Sequence, residues 1–127
     1  MIIPDSHRDL LEAPGIGLLT TVGSDGLPQS TAVWYLLDGE VVRATMVGSR
    51  QKFKNLQRHP KATLFVFDPA NIYRTIEVRA DVTMEPDADL AFVRRIVAAY
   101  GADFDSFEPR DDRWVITLTP AHVVASG

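Results

Sequence analysis

The sequence predicts a mainly β fold: an antiparallel sheet of six strands, closed into a barrel and covered by two or three helices. Segments rich in β-branched and aromatic residues recur along the chain. Asp-Gly pairs at 25–26 and 38–39 separate the first of these segments, as hairpin turns do. An antiparallel sheet of this size protects its edges most easily by closing on itself. The 127 residues predict one domain, 1–127.

The first half predicts a short helix followed by three strands in a meander. Asp5 and Ser6 are suitable N-cap residues for the helix, and Pro14-Gly15 ends it. The two Asp-Gly turns divide the residues that follow into strands at 16–22, 29–37 and 40–47. Because both turns are short, we expect each strand to pair with the next one.

The second half alternates between helices and strands. A basic helix at 50–58 places Phe53 and Leu56 on one face and stops before Pro60. Pro86 and Asp87 open another helix, with apolar residues at helical spacing. The remaining predicted segments are strands at 61–68 and 72–84, a loop at 101–112, and a last strand from Trp114 that is interrupted at Pro120.

Composition excludes several classes of function. The net charge of −4 gives no overall positive field for nucleic acid or anionic lipid, so we expect neither as a partner. The absence of cysteine excludes disulfides and thiol chemistry. The start of the chain is unlike a signal peptide and no apolar run approaches about 20 residues, which predicts a cytoplasmic protein without a membrane partner. His7, His59 and His122 lack ligand spacing, which predicts no metal site.

The most informative segment is Gly48-Ser49-Arg50-Gln51-Lys52, at a predicted strand-to-helix junction. Free backbone N–H groups and the helix dipole favour an anion at such a junction. Arg50, Lys52 and Lys54 add three cations in an acidic chain, and phosphate is bound by this combination of donors. The same spacing is also typical of a solvated helix face, and the residues alone leave both interpretations open.

The predicted strand 29–37 carries an unusual number of polar residues. Gln29, Thr31 and Val33 share one face, which either donates hydrogen bonds to a heterocycle or faces solvent. Trp34 and Tyr73 are candidates to line a flat ligand, although aromatic residues in strands are often core or dimer contacts. The sequence contains no nucleophile-elbow serine, no dinucleotide-binding glycine motif and no identifiable pair of catalytic carboxylates.

The order and spacing of five segments carry a family resemblance. The segments are 17–22, 25–31, 48–52, 55–56 and 73–79. Through them the chain resembles the pyridoxamine 5′-phosphate oxidase-like split β-barrel superfamily and, within it, the short coenzyme F420-dependent enzymes. The resemblance implies a six-stranded antiparallel split β-barrel of the FMN-binding type, and a homodimer with its cofactor sites at the interface. Ala80 departs from the glycine expected there.

The resemblance also implies a set of cofactor-binding residues. Ser49, Arg50 and Lys52 would hold the cofactor phosphate, with Gln51 and Asn55 beside them. The ring system would be flanked by Ser30, Thr31, Val33 and Thr45, and approached by Tyr73 near the interface.

Two cofactors, coenzyme F420 and flavin mononucleotide (FMN), present both a phosphate and a tricyclic ring. The short chain and the Gly-Ser-Arg-x-Lys form favour F420. The implied function is an F420H2-dependent reductase that transfers hydride to an unsaturated or conjugated small molecule. The alternatives are an FMN-binding flavoprotein and a non-catalytic protein that binds a cofactor or haem on the same fold.

Overall fold

An antiparallel sheet dominates the computed structural model, which describes residues 2–127. Its strands are β1 (Gly17–Val22), β2 (Pro28–Val33), β3 (Leu36–Asp38), β4 (Val41–Val47), β5 (Lys61–Asp68), β6 (Asn71–Pro86) and β7 (Arg113–Ser126). The helices are α1 (Asp9–Glu12), α2 (Gln51–Arg58) and α3 (Ala91–Ala99), with single 3₁₀ turns at Ala88–Leu90 and Phe104–Ser106. The predicted mainly β class with covering helices is confirmed.

The seven strands are hydrogen-bonded in the order β2-β1-β5-β6-β7-β4-β3. Each neighbouring pair is antiparallel. Strands β2 and β3 form the two edges, and no ladder joins them to each other within residues 2–127. The sheet is therefore open in its hydrogen bonding, and it has seven strands where the sequence predicted six.

The extra strand arises because the predicted strand 29–37 is divided at Trp34 and Tyr35. Residues up to Val33, which lies opposite Gly17, pair with β1. Residues after the division pair with β4. The Tyr35 side chain is 1% exposed, and its hydroxyl donates a hydrogen bond of 2.8 Å to the Leu10 carbonyl. Burial of this ring turns the chain inward, so the two predicted hairpins form but the three-strand meander is wrong.

Strand β7 continues through Pro120, where the sequence predicted an interruption. Ala80 of β6 lies opposite Pro120 and Arg79 lies opposite His122, which leaves Ala121 as an extra residue in β7. A bulge at this point accommodates proline, which has no N–H to donate to the ladder. The uninterrupted β7 lies between β6 and β4 and joins the two halves of the sheet.

Two helices begin later than the sequence predicted. Helix α1 begins at Asp9, and no side chain caps it. The Ser6 hydroxyl instead bonds His7 Nδ1 at 2.8 Å. Helix α3 begins at Ala91, because Asp89 and Leu90 adopt left-handed backbone angles of φ 57° and 56°. Asp87 still acts as an acceptor for this helix, since its carboxylate accepts bonds of 2.9 Å from the N–H groups of Phe92 and Val93.

Two groups of buried side chains hold the helices on the sheet. Leu11 of α1 and Leu56 of α2 join the larger core along the sheet. The smaller core forms where α3 packs on Val115, with Trp34 and Phe107 at its edge. No helix in residues 2–127 is both long enough and apolar enough to cross a bilayer.

Candidate functional site

A tight turn between β4 and α2 brings the predicted phosphate segment against the start of β7. The Gly48 N–H donates a bond of 3.0 Å to the Asp112 carbonyl. A Cβ at this position would lie only 2.5 Å from Asp112 Oδ2 and 2.9 Å from Trp114 Nε1. A side chain at position 48 would therefore have to displace the Asp112 carboxylate and the Trp114 indole.

Beside this turn lies a cavity of about 410 Å³. It contains five of the residues that the sequence predicted for the site: Thr31, Thr45, Arg50, Gln51 and Lys52. The other residues that line it are Gln29, Met46, Val47, Glu108, Pro109 and Arg113. Side chains from β2, β4, α2, the loop after α3 and β7 thus converge on one space.

Three cations meet in this cavity: Arg50, Lys52 and Arg113. In the part of the chain that the structure describes, none of them forms a salt bridge with a carboxylate. Burial lowers the pKa of the Lys52 ammonium, and the charges of Arg50 and Arg113 lower it further. Burial and then Arg50 likewise lower the pKa of Arg113, against a smaller opposing effect of Asp87. A bound anion would relieve this repulsion, and a phosphate fits the donor set.

A second cavity of about 290 Å³ adjoins the first. Thr45 and Lys52 line both cavities, and the Lys52 ammonium donates a bond of 3.3 Å to Thr31 Oγ1. The rest of its lining is mostly apolar and consists of Ile16, Ala32, Val33, Trp34 and Phe107. A molecule with an anionic group and a flat apolar part could therefore place one part in each cavity.

An aromatic wall closes one side of the second cavity. The Trp34 ring stacks on Tyr100 with centroids 4.5 Å apart and planes 13° apart, and Phe107 lies 6.3 Å from Trp34. The Tyr100 hydroxyl accepts a bond of 2.9 Å from the Tyr35 N–H and lies 2.8 Å from the Gly15 carbonyl. Helix α3 is thereby fixed to the point where the strand predicted at 29–37 divides.

Asn55 acts behind the site, because its side chain is 2% exposed and lines neither cavity. Its amide nitrogen donates to Thr21 Oγ1 at 3.1 Å and to Gln29 Oε1 at 3.0 Å. Its oxygen accepts a bond of 2.8 Å from Gln51 Nε2. Asn55 therefore orients two glutamines that line the first cavity.

Besides Asn55, three predicted residues lie outside both cavities. Ser30 is exposed and shares a hydrogen bond of 2.7 Å with Thr20. Ser49 is exposed in the turn before α2, and Tyr73 is 80% exposed at the start of β6. The prediction that these three residues contact a cofactor remains a prediction.

Residues from the end of the chain were missed by the sequence analysis. Arg113 and Phe107 contribute directly to the cavities but lie more than fifty positions from the phosphate segment in the sequence. The predicted loop 101–112 was correct, yet its polar composition gave no sign of where it packs. The available signal was Arg113 itself, a cation at the start of a strand that is otherwise apolar or hydroxylated up to Pro120.

The family of the chain is shown by a match to the pyridoxamine 5′-phosphate oxidase model, which covers residues 3–126. The chain belongs to this family. The resemblance that the five sequence segments predicted is therefore confirmed.

Solved structures agree with this assignment. An F420 reductase is 38% identical over 96% of this chain and 98% of its own, with a TM-score of 0.89. A conserved hypothetical protein from Mycobacterium tuberculosis, Rv2991, is 20% identical over 99% of this chain and 86% of its own, with a TM-score of 0.79. A heme binding protein from Mycobacterium smegmatis is 19% identical over 100% of this chain and 56% of its own, with a TM-score of 0.76. The last two show a shared fold.

Proposed function

We propose that this protein is an oxidoreductase, an F420H2-dependent reductase that transfers hydride to an unsaturated or conjugated small molecule. The observation that carries the proposal is the pair of adjoining cavities, one lined by three cations and one mostly apolar. The 38% identity to an F420 reductase over nearly the whole of both chains supports the choice of cofactor.

The residues of the first cavity suit the anionic part of such a cofactor. Arg50 and Arg113 offer forked guanidinium groups, and Lys52 offers a compact charge between the two cavities. Thr31 and Thr45 add hydroxyl groups beside Lys52. These residues bind and orient the cofactor, which supplies the hydride when it is bound.

The second cavity suits the flat ring of the cofactor and the acceptor that must lie against it. Val33, Trp34 and Phe107 offer apolar surface to flat molecules. The stacked Trp34 and Tyr100 rings make this surface rigid. We therefore assign both the cofactor ring and the acceptor to the second cavity, on the side of Lys52 that faces the aromatic wall.

A homodimer is part of the same proposal. Leu18 and Phe67 are exposed on the sheet, and Leu18 lies opposite both Phe65 and Ala32 in the register of β1. Residues opposite each other or two apart in an antiparallel sheet share a face. This apolar face therefore extends from Phe67 to Ala32, which lines the second cavity, so a second copy packed there would lie beside the site.

Direct titration tests the choice of cofactor. Coenzyme F420, FMN and haem are each titrated into the purified protein and followed by fluorescence or absorbance. We expect F420 to bind with the highest affinity and its reduced form to deliver hydride to a conjugated acceptor. Binding of FMN alone would support the flavoprotein alternative, and failure of all three below millimolar concentration would refute the proposal.

The double variant Arg50→Ala/Lys52→Ala tests the phosphate site. It removes charge-assisted bonds worth roughly 1.5–3 kcal/mol each, so we expect F420 affinity to fall by at least about tenfold. Isothermal titration measures the change, and circular dichroism checks the fold. The matched control is Lys54→Ala/Arg58→Ala, which removes the same charge from exposed positions of the same helix. Equal losses in the two double variants would contradict the assignment.

A further inference from the structure

Arg113 contacts residues that line the first cavity and residues that line the second. Its guanidinium lines the first cavity, where Nη1 lies 3.5 Å from Thr45 Oγ1. Its Nε donates a bond of 2.7 Å to the Pro109 carbonyl. The same group lies over the Phe107 ring, 4.6 Å from the centroid, and Phe107 lines the second cavity, the apolar cavity.

We propose that Arg113 is a positioning residue that couples the two cavities, so that an anion held by Arg113 fixes Phe107 and strengthens the binding of a flat, neutral apolar molecule beside it. This inference rests on the proposed function and adds that its two ligands strengthen each other's binding. A bound cofactor raises the affinity for the acceptor, and a bound acceptor raises the affinity for the cofactor.

The geometry of the guanidinium explains the coupling. Its five N–H donors lie in one plane, so Nε can hold Pro109 while the terminal nitrogens face the cavity. Without an anion, Arg113 is near the charges of Arg50 and Lys52 and is repelled by them. An anion replaces that repulsion with attraction and reduces the motion of the guanidinium, and therefore of the loop that it holds.

The rest of the loop has other supports. Phe104 packs under Arg94, whose guanidinium lies 4.0 Å from the ring centroid. Asp103 accepts bonds from the Asp105 N–H at 3.3 Å and the Ser106 hydroxyl at 2.7 Å. Residues 103–106 are thus held without Arg113. At 107–109, Arg113 adds its contacts with Phe107 and Pro109 to the packing of Phe107 against Trp34 and the bond of 3.1 Å from the Phe107 N–H to the Phe104 carbonyl. A bound anion would therefore reduce the mobility of the loop residues that line the cavities and leave the mobility of residues 103–106 unchanged.

The test measures two affinities and the effect of one ligand on the other. Inorganic phosphate is titrated by calorimetry, and the neutral dye N-phenyl-1-naphthylamine is titrated by fluorescence with and without saturating phosphate. In the unmodified protein we expect phosphate to raise dye affinity by about fivefold, and dye to raise phosphate affinity by the same factor. Phe107→Ala should remove this effect while phosphate still binds, which shows that the dye reports on the apolar cavity.

The decisive variant is Arg113→Lys, which keeps the positive charge but cannot bridge Pro109, Phe107 and an anion with one planar group. We expect this variant to bind phosphate more weakly, because lysine offers no planar pair of donors, and to show no rise in dye affinity even at saturating phosphate. Arg94→Ala should retain the full effect, because Arg94 holds only the start of the loop.

Two results overturn the coupling alone: phosphate binds the unmodified protein without changing dye affinity, or Arg113→Lys couples as strongly as the unmodified protein. If the unmodified protein binds neither phosphate nor F420, the coupling and the proposed function both fail. The first two results leave the proposed function intact, so the failures are distinguishable.

Discussion

At the scale of single residues, burial and two neighbouring guanidinium groups oppose the charge of Lys52. Their effect lowers its pKa below the ordinary value of 10.5. A lysine with a lowered pKa loses its proton at a lower pH than its exposed counterparts do. Because the neutral amine no longer attracts an anion, the phosphate affinity of the free cavity should depend on pH in the alkaline range.

The expected outcome is a fall in phosphate affinity that begins below pH 10.5. Calorimetric titrations with inorganic phosphate from about pH 8 to about pH 11 measure it, a range in which Arg side chains stay charged. Lys52→Arg should retain affinity through this range because its guanidinium does not titrate there. Lys54→Arg is the control and should show the same fall as the unmodified protein. A fall that persists unchanged in Lys52→Arg would assign the titration to another group.

The sequence predicted the residues that lie close together in the chain better than those brought together by the fold. Arg50, Gln51 and Lys52 were found because a strand end, Gly-Ser and a basic helix turn are all local features. Arg113 was missed because its position depends on β7 pairing with β4, which places it opposite Val47. The expectation that Asn55 lies beside the cofactor phosphate stays a prediction, and its hydrogen bonds to Gln29 and Gln51 became visible only in the fold.

At the scale of elements, the Tyr100 hydroxyl joins α3 to the backbone of Gly15 and Tyr35. Tyr100→Phe keeps the ring that stacks on Trp34 but leaves these half-buried backbone groups without their partner. We expect the free energy of unfolding to fall by about 1–3 kcal/mol, measured by urea denaturation. Affinity for a flat ligand in the apolar cavity should also fall, because the wall loses its support.

Tyr73→Phe is the matched control for this variant. The Tyr73 side chain is 80% exposed, so removal of its hydroxyl should leave the free energy of unfolding within about 0.5 kcal/mol of the unmodified value. An equal loss in both variants would show that the Tyr100 hydrogen bonds add nothing specific to stability.

Elements were predicted well where turn chemistry marks them and poorly where tertiary contacts decide. The pairs at 25–26 and 38–39 correctly placed two hairpins, since glycine there takes a positive φ of 82° and 67°. The division at Trp34 and Tyr35 was missed because neither residue is a turn former and the β-rich composition runs through both. The division is held by tertiary contacts of Tyr35, whose hydroxyl bonds the Leu10 carbonyl and whose backbone bonds the Tyr100 hydroxyl.

At the scale of the whole molecule, the exposed apolar face formed by Leu18 and Phe67 leads to a prediction about assembly. We expect a dimer at micromolar concentration, measured by sedimentation equilibrium, because this face removes apolar surface from water when a second copy covers it. Leu18→Glu and Phe67→Glu should each weaken dimerisation by at least about tenfold, since each would bury an unpaired charge.

Leu27→Glu provides the control, because Leu27 is 65% exposed but lies in the turn between β1 and β2. It adds the same charge in place of a similar side chain and should leave dimerisation unchanged. A dimer that survives both Leu18→Glu and Phe67→Glu would have its interface on another surface. An unmodified protein that sediments as a monomer would refute the proposed assembly.

The position of β7 between β6 and β4 has a consequence for how the protein is made. Within the described chain, β3 and β4 reach the rest of the sheet only through β7, although they are synthesised long before it. During translation the hairpin of β3 and β4 therefore has to wait, with its edge exposed, until Arg113–Ser126 has left the ribosome. Nascent chains stalled before Arg113 should be protease-sensitive across residues 36–47. Chaperones should bind the same residues, because their strand edge is exposed.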